Sequence, residues 1–148
     1  MEIATDLKIP GKAVIARRHT FSSAHRYVQP KLSHEENQKQ FGLCYLENSH
    51  GHNYVIEAFV EGTVDVRTGL IADVIEIDKI LKSICEPLDH HNLNLDVEYF
   101  AKNIPTTENL ALYFFGKINS ALAVSHPSLK LNRIKLSETD DLWSEVWA

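Results

Sequence analysis

The sequence predicts a single α+β domain in which two helices pack on one face of an antiparallel sheet. Stretches of alternating apolar residues lie near both ends of the chain, and they indicate strands. Two stretches between them repeat their apolar residues about every 3.6 positions, which is typical of helices with one buried side. The 148 residues fit one hydrophobic core and contain no repeat or linker, so we expect residues 1–148 to form one domain.

The first two elements are predicted to be long strands joined by a polar loop. Residues 13–24 are rich in β-branched and alternating side chains, and residues 50–62 alternate in the same way. In the loop, Ser33 followed by Glu36 predicts a capped helical turn over residues 33–41. Alternation places these side chains of the second strand on one face: His50, His52, Tyr54, Ile56, Ala58 and Val60.

The second half of the chain predicts two helices and two more strands. Residues 62–69 form a hairpin-like connection and residues 70–74 continue extended, after which helical periodicity runs from Ile77 to Cys85. A second helix is expected to begin at a Thr106 cap and to continue to about Val124. Residues 131–138 alternate, and a short last strand is expected at 142–147. The predicted order is β-β-α-α-β-β, with a four-stranded antiparallel sheet.

Composition argues against several classes of function. The 15 Lys and Arg against 20 Asp and Glu give a net charge of −5, whereas a general nucleic-acid-binding protein needs clustered positive charge to neutralise phosphates. We expect no membrane span, since no run of about 18 apolar residues occurs, and no signal peptide. The two cysteines, Cys44 and Cys85, do not make a disulfide framework, so the reducing cytoplasm is the expected location.

Three of the eight histidines have the spacing of a metal site. His50 and His52 lie two residues apart on one predicted strand, so their side chains share a face. Such a pair alone is more often unliganded, but His25 ends the preceding strand and would join the pair if the two strands are neighbours. Three imidazoles with one position left free are typical of catalytic zinc, whereas structural zinc normally has four protein ligands. The sequence therefore favours an open tri-histidine zinc site.

Other polar residues have both a catalytic and a structural interpretation. Cys44 lies in a polar loop before the second strand, where a nearby zinc would lower its pKa and supply a thiolate base; a buried structural cysteine is the alternative. Asp89 could orient an acid–base imidazole of His90, or the two could lie in a loop that ends a helix. Glu138, at a predicted strand end, is either solvated or the acceptor for a cyclic guanidine-like ligand edge.

The order of these motifs resembles that of the 6-pyruvoyltetrahydropterin synthase family. The resemblance extends from Arg18 to Asp141 and rests on the segments FSSAHR, LSHEENQKQFG, Cys-x5-HGHNY, EPLDHHNLNLDVEYF, PTTENLALYFF and SETD. It implies the T-fold, in which subunits form a barrel-like ring, usually a hexamer of two stacked trimers with active sites at subunit interfaces. The segments LWSEVWA and VIEIDKI differ from the family pattern, but neither contains a matched functional residue.

The resemblance also implies the reaction and the residues that perform it. The substrate would be 7,8-dihydroneopterin triphosphate, from which a zinc-dependent lyase eliminates triphosphate. Cys44 would be the general base, and His90, oriented by Asp89, its acid–base partner. The implied zinc ligands are His25, His50 and His52. The implied pterin site is Glu138 as anchor, lined by Thr106, Thr107 and Glu108. Cations for the triphosphate could come from Arg17, Arg18, Arg26 and Lys31.

Three alternatives stay open. The first is 6-carboxytetrahydropterin synthase of queuosine synthesis, which typically has a shorter Cys-to-HGH spacing than the five residues found between Cys44 and His50. The second is side-chain cleavage to 6-hydroxymethyl-dihydropterin for folate synthesis, because Glu47 resembles the glutamate base of a variant branch; an available thiolate favours Cys44. The third is a zinc paralogue that binds pterin without turnover, which would not need Cys44, Asp89 and His90.

Overall fold

The computed structural model describes residues 11–148; residues 1–10, on which the expected absence of a signal peptide rests, lie outside the described part. The elements in chain order are β1 Lys12–His25, α1 His34–Phe41, a 3-10 helix Gly42–Tyr45, β2 His50–Thr63, α2 Val74–Cys85, β3 His91–Asn92, α3 Leu93–Asp96, α4 Glu98–Lys102, α5 Thr107–Ser125, β4 Lys130–Ser137 and β5 Trp143–Trp147. The predicted α+β class is confirmed, and the structure adds short elements to it.

The strands form one sheet in the order β3-β1-β2-β4-β5. The pairs β1–β2, β2–β4 and β4–β5 are antiparallel, which agrees with the predicted four-stranded sheet. The fifth strand corrects that count: β3 pairs in parallel with Ser23 and Ala24 at the end of β1. Two residues are too few to show alternation, so the sequence pattern could not reveal this strand.

The helix boundaries follow from side-chain caps. Ser33 and Glu36 form the predicted capping box of α1, and Thr106 caps α5 as predicted. The extended stretch predicted for residues 70–74 is wrong at its end, because α2 already begins at Val74. The Asp73 side chain accepts a hydrogen bond from the Ile75 backbone N–H at 2.9 Å, which fixes this earlier start. No pattern predicted α3 and α4, which are each five residues or shorter.

The long helices α2 and α5 cover one face of the sheet, which we call the inner face; the opposite face is the outer face. The fully buried inner-face residues of β2 are Tyr54, Ile56, Ala58 and Val60. Phe21 of β1 stacks on Tyr54 with 5.0 Å between ring centroids and lies 5.3 Å from the ring of Phe114 in α5. Each large side chain buried here stabilises the fold by about 1.5–3 kcal/mol.

The segment between β1 and β2 is held by Asn37, a polar residue of α1 that is only 2% exposed. Its side-chain nitrogen donates to three backbone carbonyls of residues 29–33, and its oxygen accepts from the Gln29 backbone N–H at 2.8 Å. Gly42, with φ of 54°, then ends α1 and turns the chain into the 3-10 helix that carries Cys44. Within residues 11–148, none of the helices is both long and apolar enough to cross a membrane.

Candidate metal centre and active site

Three imidazoles meet on the inner face where β1 ends and β2 begins. The antiparallel register places His25 opposite His50 and Ser23 opposite His52, so that the three histidines share one face. His25 Nε2 lies 3.1 Å from His50 Nε2, and the three rings are 4.7–5.0 Å apart between centroids. One ligand nitrogen from each ring lies within 4.8 Å of the others. The predicted convergence of these histidines is confirmed.

Burial favours the neutral form, which a metal requires, in two of these imidazoles. His25 has no exposed surface, and its pKa falls to about 3 because of burial and then because of His50 and His52. The pKa of His52 is also lowered by burial, against the opposing effect of Glu138. Tyr54 Oη lies 2.8 Å from His25 Nδ1 and so fixes this ring with its Nε2 toward the other two.

The nitrogen atoms of this cluster fit a zinc ion. His52 Nε2 is buried and makes no hydrogen bond among the described residues, since Glu138 Oε1 at 3.3 Å lies near it without hydrogen-bond geometry. An unsatisfied buried nitrogen is costly, and a metal ion would remove that cost. Three imidazoles form a donor set that zinc accepts, with a fourth position available to a substrate.

Glu138 lies beside the cluster, 7% exposed. Its Oε1 is 3.3 Å from His52 Nε2, and its Oε2 accepts a 2.8 Å hydrogen bond from Thr107 Oγ1 and a weak one at 3.5 Å from Tyr27 Oη. A buried carboxylate held by hydroxyl donors is a ready acceptor for a ligand with two adjacent N–H groups. Glu138 is therefore not a solvated strand end.

The other two residues predicted to line the pterin pocket have different surroundings. Thr106 Oγ1 accepts a hydrogen bond from the Asn109 backbone N–H at 3.2 Å and caps α5, while Glu108 is exposed in the first turn of that helix. Of the three predicted lining residues, Thr107 is the one that contacts Glu138.

Cys44 lies in the 3-10 helix and is half-buried, and its backbone carbonyl accepts a 2.7 Å hydrogen bond from the Tyr27 N–H. Burial raises the pKa of the Cys44 thiol, and the negative charge of Glu138 adds to this effect. The protein groups alone therefore do not activate the thiol, and an additional positive charge is needed to make thiolate available. Glu47, the alternative base, is exposed.

Asp89 and His90 form a hydrogen-bonded pair on the other side of the sheet. Asp89 Oδ2 lies 2.9 Å from His90 Nδ1, and its Oδ1 accepts from the Ser22 backbone N–H at 2.8 Å. The hydrogen bond from Ser22 has the larger effect and the contact with His90 the smaller one, and together they hold the pKa of Asp89 below its usual range. His90 is exposed and has a positive φ of 61°, a strained backbone conformation that is common at functional sites.

His90 lines a pocket of about 480 Å³, and Asp89 binds His90 beside it. The residues of β1 and β2 that line it are the outer-face residues Ser22, Ala24, Gly51 and Asn53, together with Ser23 and His52, so the pocket lies mainly on the outer face. The structure therefore does not bring Asp89 and His90 into the inner-face site of the same chain.

Two tyrosines belong to the site although no sequence motif gave them a role there. Tyr27 follows His25 by two residues and lies between that ring and Glu138, with its ring 4.9 Å from the His25 ring. Tyr54 follows His52 by two residues on the same face. Alternation already places Tyr54 on the face of His50 and His52, but it does not distinguish a site residue from a core residue there. Extending the same two-residue period past His25 could have found Tyr27.

The chain that forms this site is similar over most of its length to known proteins. A family model described as 6-pyruvoyl tetrahydropterin synthase matches residues 14–148. The 6-pyruvoyl tetrahydrobiopterin synthase of Homo sapiens is 40% identical over 131 residues, which are 88% of each chain. The solved structure of Caenorhabditis elegans 6-pyruvoyl tetrahydropterin synthase has a TM-score of 0.87 at 36% identity, covering 93% of this chain and 96% of that one. A dihydroneopterin monophosphate aldolase of Pyrococcus furiosus is 32% identical over 100 residues, 68% of this chain and 79% of the aldolase.

The metal site can be tested by replacing its ligands. We expect His50→Ala combined with His52→Ala to abolish stoichiometric zinc binding, because the remaining imidazole cannot hold the ion alone. Elemental analysis after dialysis measures the zinc content, with His34→Ala, at an exposed histidine, as the control. One zinc per chain in the doubly substituted protein would show that the tri-histidine assignment is wrong.

The buried His25 also predicts how stability depends on pH. Its pKa of about 3 in the folded chain is below the ordinary value of 6.5, so the unfolded chain binds the additional proton between these values. When a chelator has removed the metal, the contribution of neutral His25 to the free energy of unfolding should be fully present above about pH 6.5. It should be lost toward pH 3, by up to about 1.4 kcal/mol per pH unit. Urea unfolding at several pH values measures the slope, which His25→Gln should reduce and His34→Gln should not. An identical slope in wild type and His25→Gln would contradict the prediction.

Proposed function

The chain belongs to the 6-pyruvoyl tetrahydropterin synthase family, and we propose that it is a zinc-dependent lyase that eliminates triphosphate from 7,8-dihydroneopterin triphosphate. The observation that carries the proposal is the inner-face site itself. Three convergent imidazoles lie beside a buried carboxylate, whose Oε1 is 3.3 Å from a His52 Nε2 that makes no hydrogen bond among the described residues. These two features suit a substrate that has hydroxyl groups at one end and a guanidine-like edge at the other.

Glu138 is proposed to hold the pterin ring. Its Oε2 accepts from Thr107 Oγ1 at 2.8 Å and only weakly from Tyr27 Oη at 3.5 Å, while its Oε1 lies 3.3 Å from His52 Nε2. Oε1 and the weakly used direction of Oε2 therefore keep accepting capacity for the ligand. The 2-amino and N3 hydrogens of a pterin would donate to these oxygens as a charge-assisted pair. This anchor orients the side chain of the substrate toward the three histidines.

Cys44 is proposed as the base that takes a proton from the side chain of the substrate. When bound by His25, His50 and His52, zinc supplies a positive charge that acidifies the side-chain hydroxyls and the adjacent C–H bonds. The electron pair of the broken C–H bond forms a C=C bond as the C–O bond to triphosphate breaks, and triphosphate leaves with the electron pair of that C–O bond. The proton held by Cys44 returns during tautomerisation, so no external oxidant or reductant is needed.

His90, oriented by Asp89, is proposed as the second acid–base group, supplied by another copy of the chain. The position of the pair on the outer face supports this arrangement. The edges of the sheet offer a route to assembly. Among the described residues, β5 pairs only with β4. Apart from Ser23 and Ala24, which also pair with β3, the residues of β1 pair only with β2. Such edges can pair with further chains, which supports a closed ring; we propose the hexamer of two stacked trimers.

The cations that would bind the triphosphate are proposed from their surroundings in the fold. Arg17 is engaged by Asp78 through two hydrogen bonds of 2.6 and 2.7 Å, so it is a weaker candidate for the triphosphate than Arg18 or Lys31.

Cys44 and Cys85 are both free thiols, which supports the proposal of a reducing compartment such as the cytoplasm.

Side-chain cleavage to 6-hydroxymethyl-dihydropterin is the second candidate. Two features favour it: the similarity to the Pyrococcus furiosus aldolase, and Glu47 in the segment Glu-x-x-His-Gly-His. The exposure of Glu47 weighs against it, because a solvated carboxylate is a weak base.

The proposed reaction is tested by incubating the zinc-loaded protein with 7,8-dihydroneopterin triphosphate. We expect release of triphosphate and formation of a 6-pyruvoyl product, identified by mass spectrometry. A chelator should abolish both and added zinc should restore them, because the positive charge of the metal is required. Zinc-loaded protein that releases no triphosphate would contradict the enzyme proposal.

The anchor is tested by Glu138→Gln, which keeps the shape but turns an acceptor oxygen into a donor that faces the N–H groups of the pterin. We expect zinc to be retained and the binding free energy of the substrate to weaken by roughly 2–5 kcal/mol. Calorimetric titration measures the affinity, and Glu98→Gln on the exposed surface of α4 is the matched control. Unchanged affinity would exclude the anchoring role.

The choice of base is tested by replacing both candidates. Cys44→Ala should abolish triphosphate elimination with zinc retained, and Glu47→Gln should change little, because a zinc-activated thiolate is the stronger nucleophile and Glu47 is exposed to solvent. Mass spectrometry of the products distinguishes the reactions. If Cys44→Ala still forms 6-hydroxymethyl-dihydropterin and the added Glu47→Gln removes that product, the site has two working bases and the main product must be reassigned.

A further inference from the structure

The backbone of the segment that carries Cys44 is attached to the residues that directly follow the metal ligand His25. Arg26 Nε donates a 2.7 Å hydrogen bond to the carbonyl oxygen of Tyr45. Its guanidinium carbon also lies 4.5 Å from the centre of the Tyr45 ring, within the range of a cation–π contact. The next residue, Tyr27, donates its backbone N–H to the carbonyl of Cys44 at 2.7 Å. Two consecutive residues after His25 therefore hold two consecutive carbonyls of the 3-10 helix.

Arg26 is itself held from the other side by Asn94 of α3. The Asn94 side-chain oxygen accepts from the Arg26 N–H at 2.7 Å, and its nitrogen donates to the Arg26 carbonyl at 2.9 Å. Asn94 is fixed in turn, because its backbone N–H donates to the Asn92 side chain, which also reaches Ser49 Oγ at 3.2 Å. A side chain that satisfies both backbone groups of another residue, beyond the end of the strand, acts as a rigid connection.

These contacts use the parts of Arg26 that an anion would need. The Nε–H and one face of the guanidinium are occupied by Tyr45, so a bidentate contact to a phosphate through Nε is not available. Tyr45 is fixed from the side of α1 as well, since His34 Nδ1 lies 3.2 Å from its hydroxyl. Arg26 is therefore placed between two anchored elements.

We propose that Arg26, held by Asn94, is a positioning residue that sets the location of the Cys44 thiol relative to the histidine cluster. This inference rests on the proposed role of Cys44 as the base. Lysine cannot replace Arg26 here, because an ammonium group lacks the planar Nε–H and the flat face that contact Tyr45. Release of the 3-10 helix would leave the zinc ligands in place and move the thiol, and a displacement of about 1 Å is enough to slow a reaction by about 100-fold.

The test compares the alkylation of Cys44 with the kinetics of the zinc-loaded protein. Cys85 is 1% exposed and serves as an internal reference for iodoacetamide labelling, followed by mass spectrometry of the peptides. In Arg26→Lys we expect Cys44 to be alkylated at least about threefold faster, because its segment opens more often. We also expect kcat to fall about 10- to 100-fold with KM and zinc content nearly unchanged. Asn94→Ala should change the same quantities in the same direction, and Arg67→Lys, at an exposed arginine, should change none.

Two results would overturn the inference. If Arg26→Lys raises KM and leaves the alkylation rate of Cys44 unchanged, Arg26 contacts the triphosphate instead. If Arg26→Lys loses zinc, the residue acts through His25. Failure of the proposed function gives a different result: the zinc-loaded wild type would release no triphosphate, or Cys44→Ala would keep the activity. The alkylation rates of Cys44 would still report whether Arg26 and Asn94 hold the segment.

Discussion

The antiparallel pairing of β1 with β2 is the constraint on which the rest of the structure depends. It places His25 opposite His50 and brings His52 onto the same face, although 25 residues separate the first two histidines. A shift of one residue in this register would turn every side chain of one strand to the other face and separate the three imidazoles. The apolar side chains further along the inner face, which pack against α2 and α5, oppose such a shift. The geometry of the histidine cluster thus depends on the hydrophobic core.

The same alternation divides the candidate active site between two faces. Residues of odd number in β1 point inward toward the core and the histidines, whereas Ser22 and Ala24 point outward toward the pocket of the Asp89–His90 pair. The segment after α2 is attached to the end of β1 through Ser22, which binds both the Asp89 side chain and the His90 backbone. One short stretch of β1 therefore supports the metal site on one side and the acid–base pair on the other. This division supports the proposal that the site needs more than one copy of the chain.

The sequence could predict what depends on local periodicity and chemistry. The two-residue period revealed the shared face of His50 and His52, and the Thr106 and Ser33 caps fixed the starts of α5 and α1. It could not predict the pairing of β3, because a two-residue strand is defined by hydrogen bonds to a distant part of the chain. It also could not show that Asp89 and His90 lie on the outer face or that Arg26 contacts Tyr45. These arrangements depend on where loops return in space, and the loop sequences have no period that records it.

The central claim is that Cys44 of one copy works with His90 of another, and complementation between inactive variants tests it most directly. Cys44→Ala and His90→Ala chains, each inactive alone, are unfolded together, refolded with zinc and assayed for triphosphate release, while native mass spectrometry shows whether mixed oligomers form. Random assembly restores an intact pair at about a quarter of the interfaces, so activity of up to about that fraction of wild type is predicted. Mixed oligomers that remain as inactive as either parent would contradict the shared site.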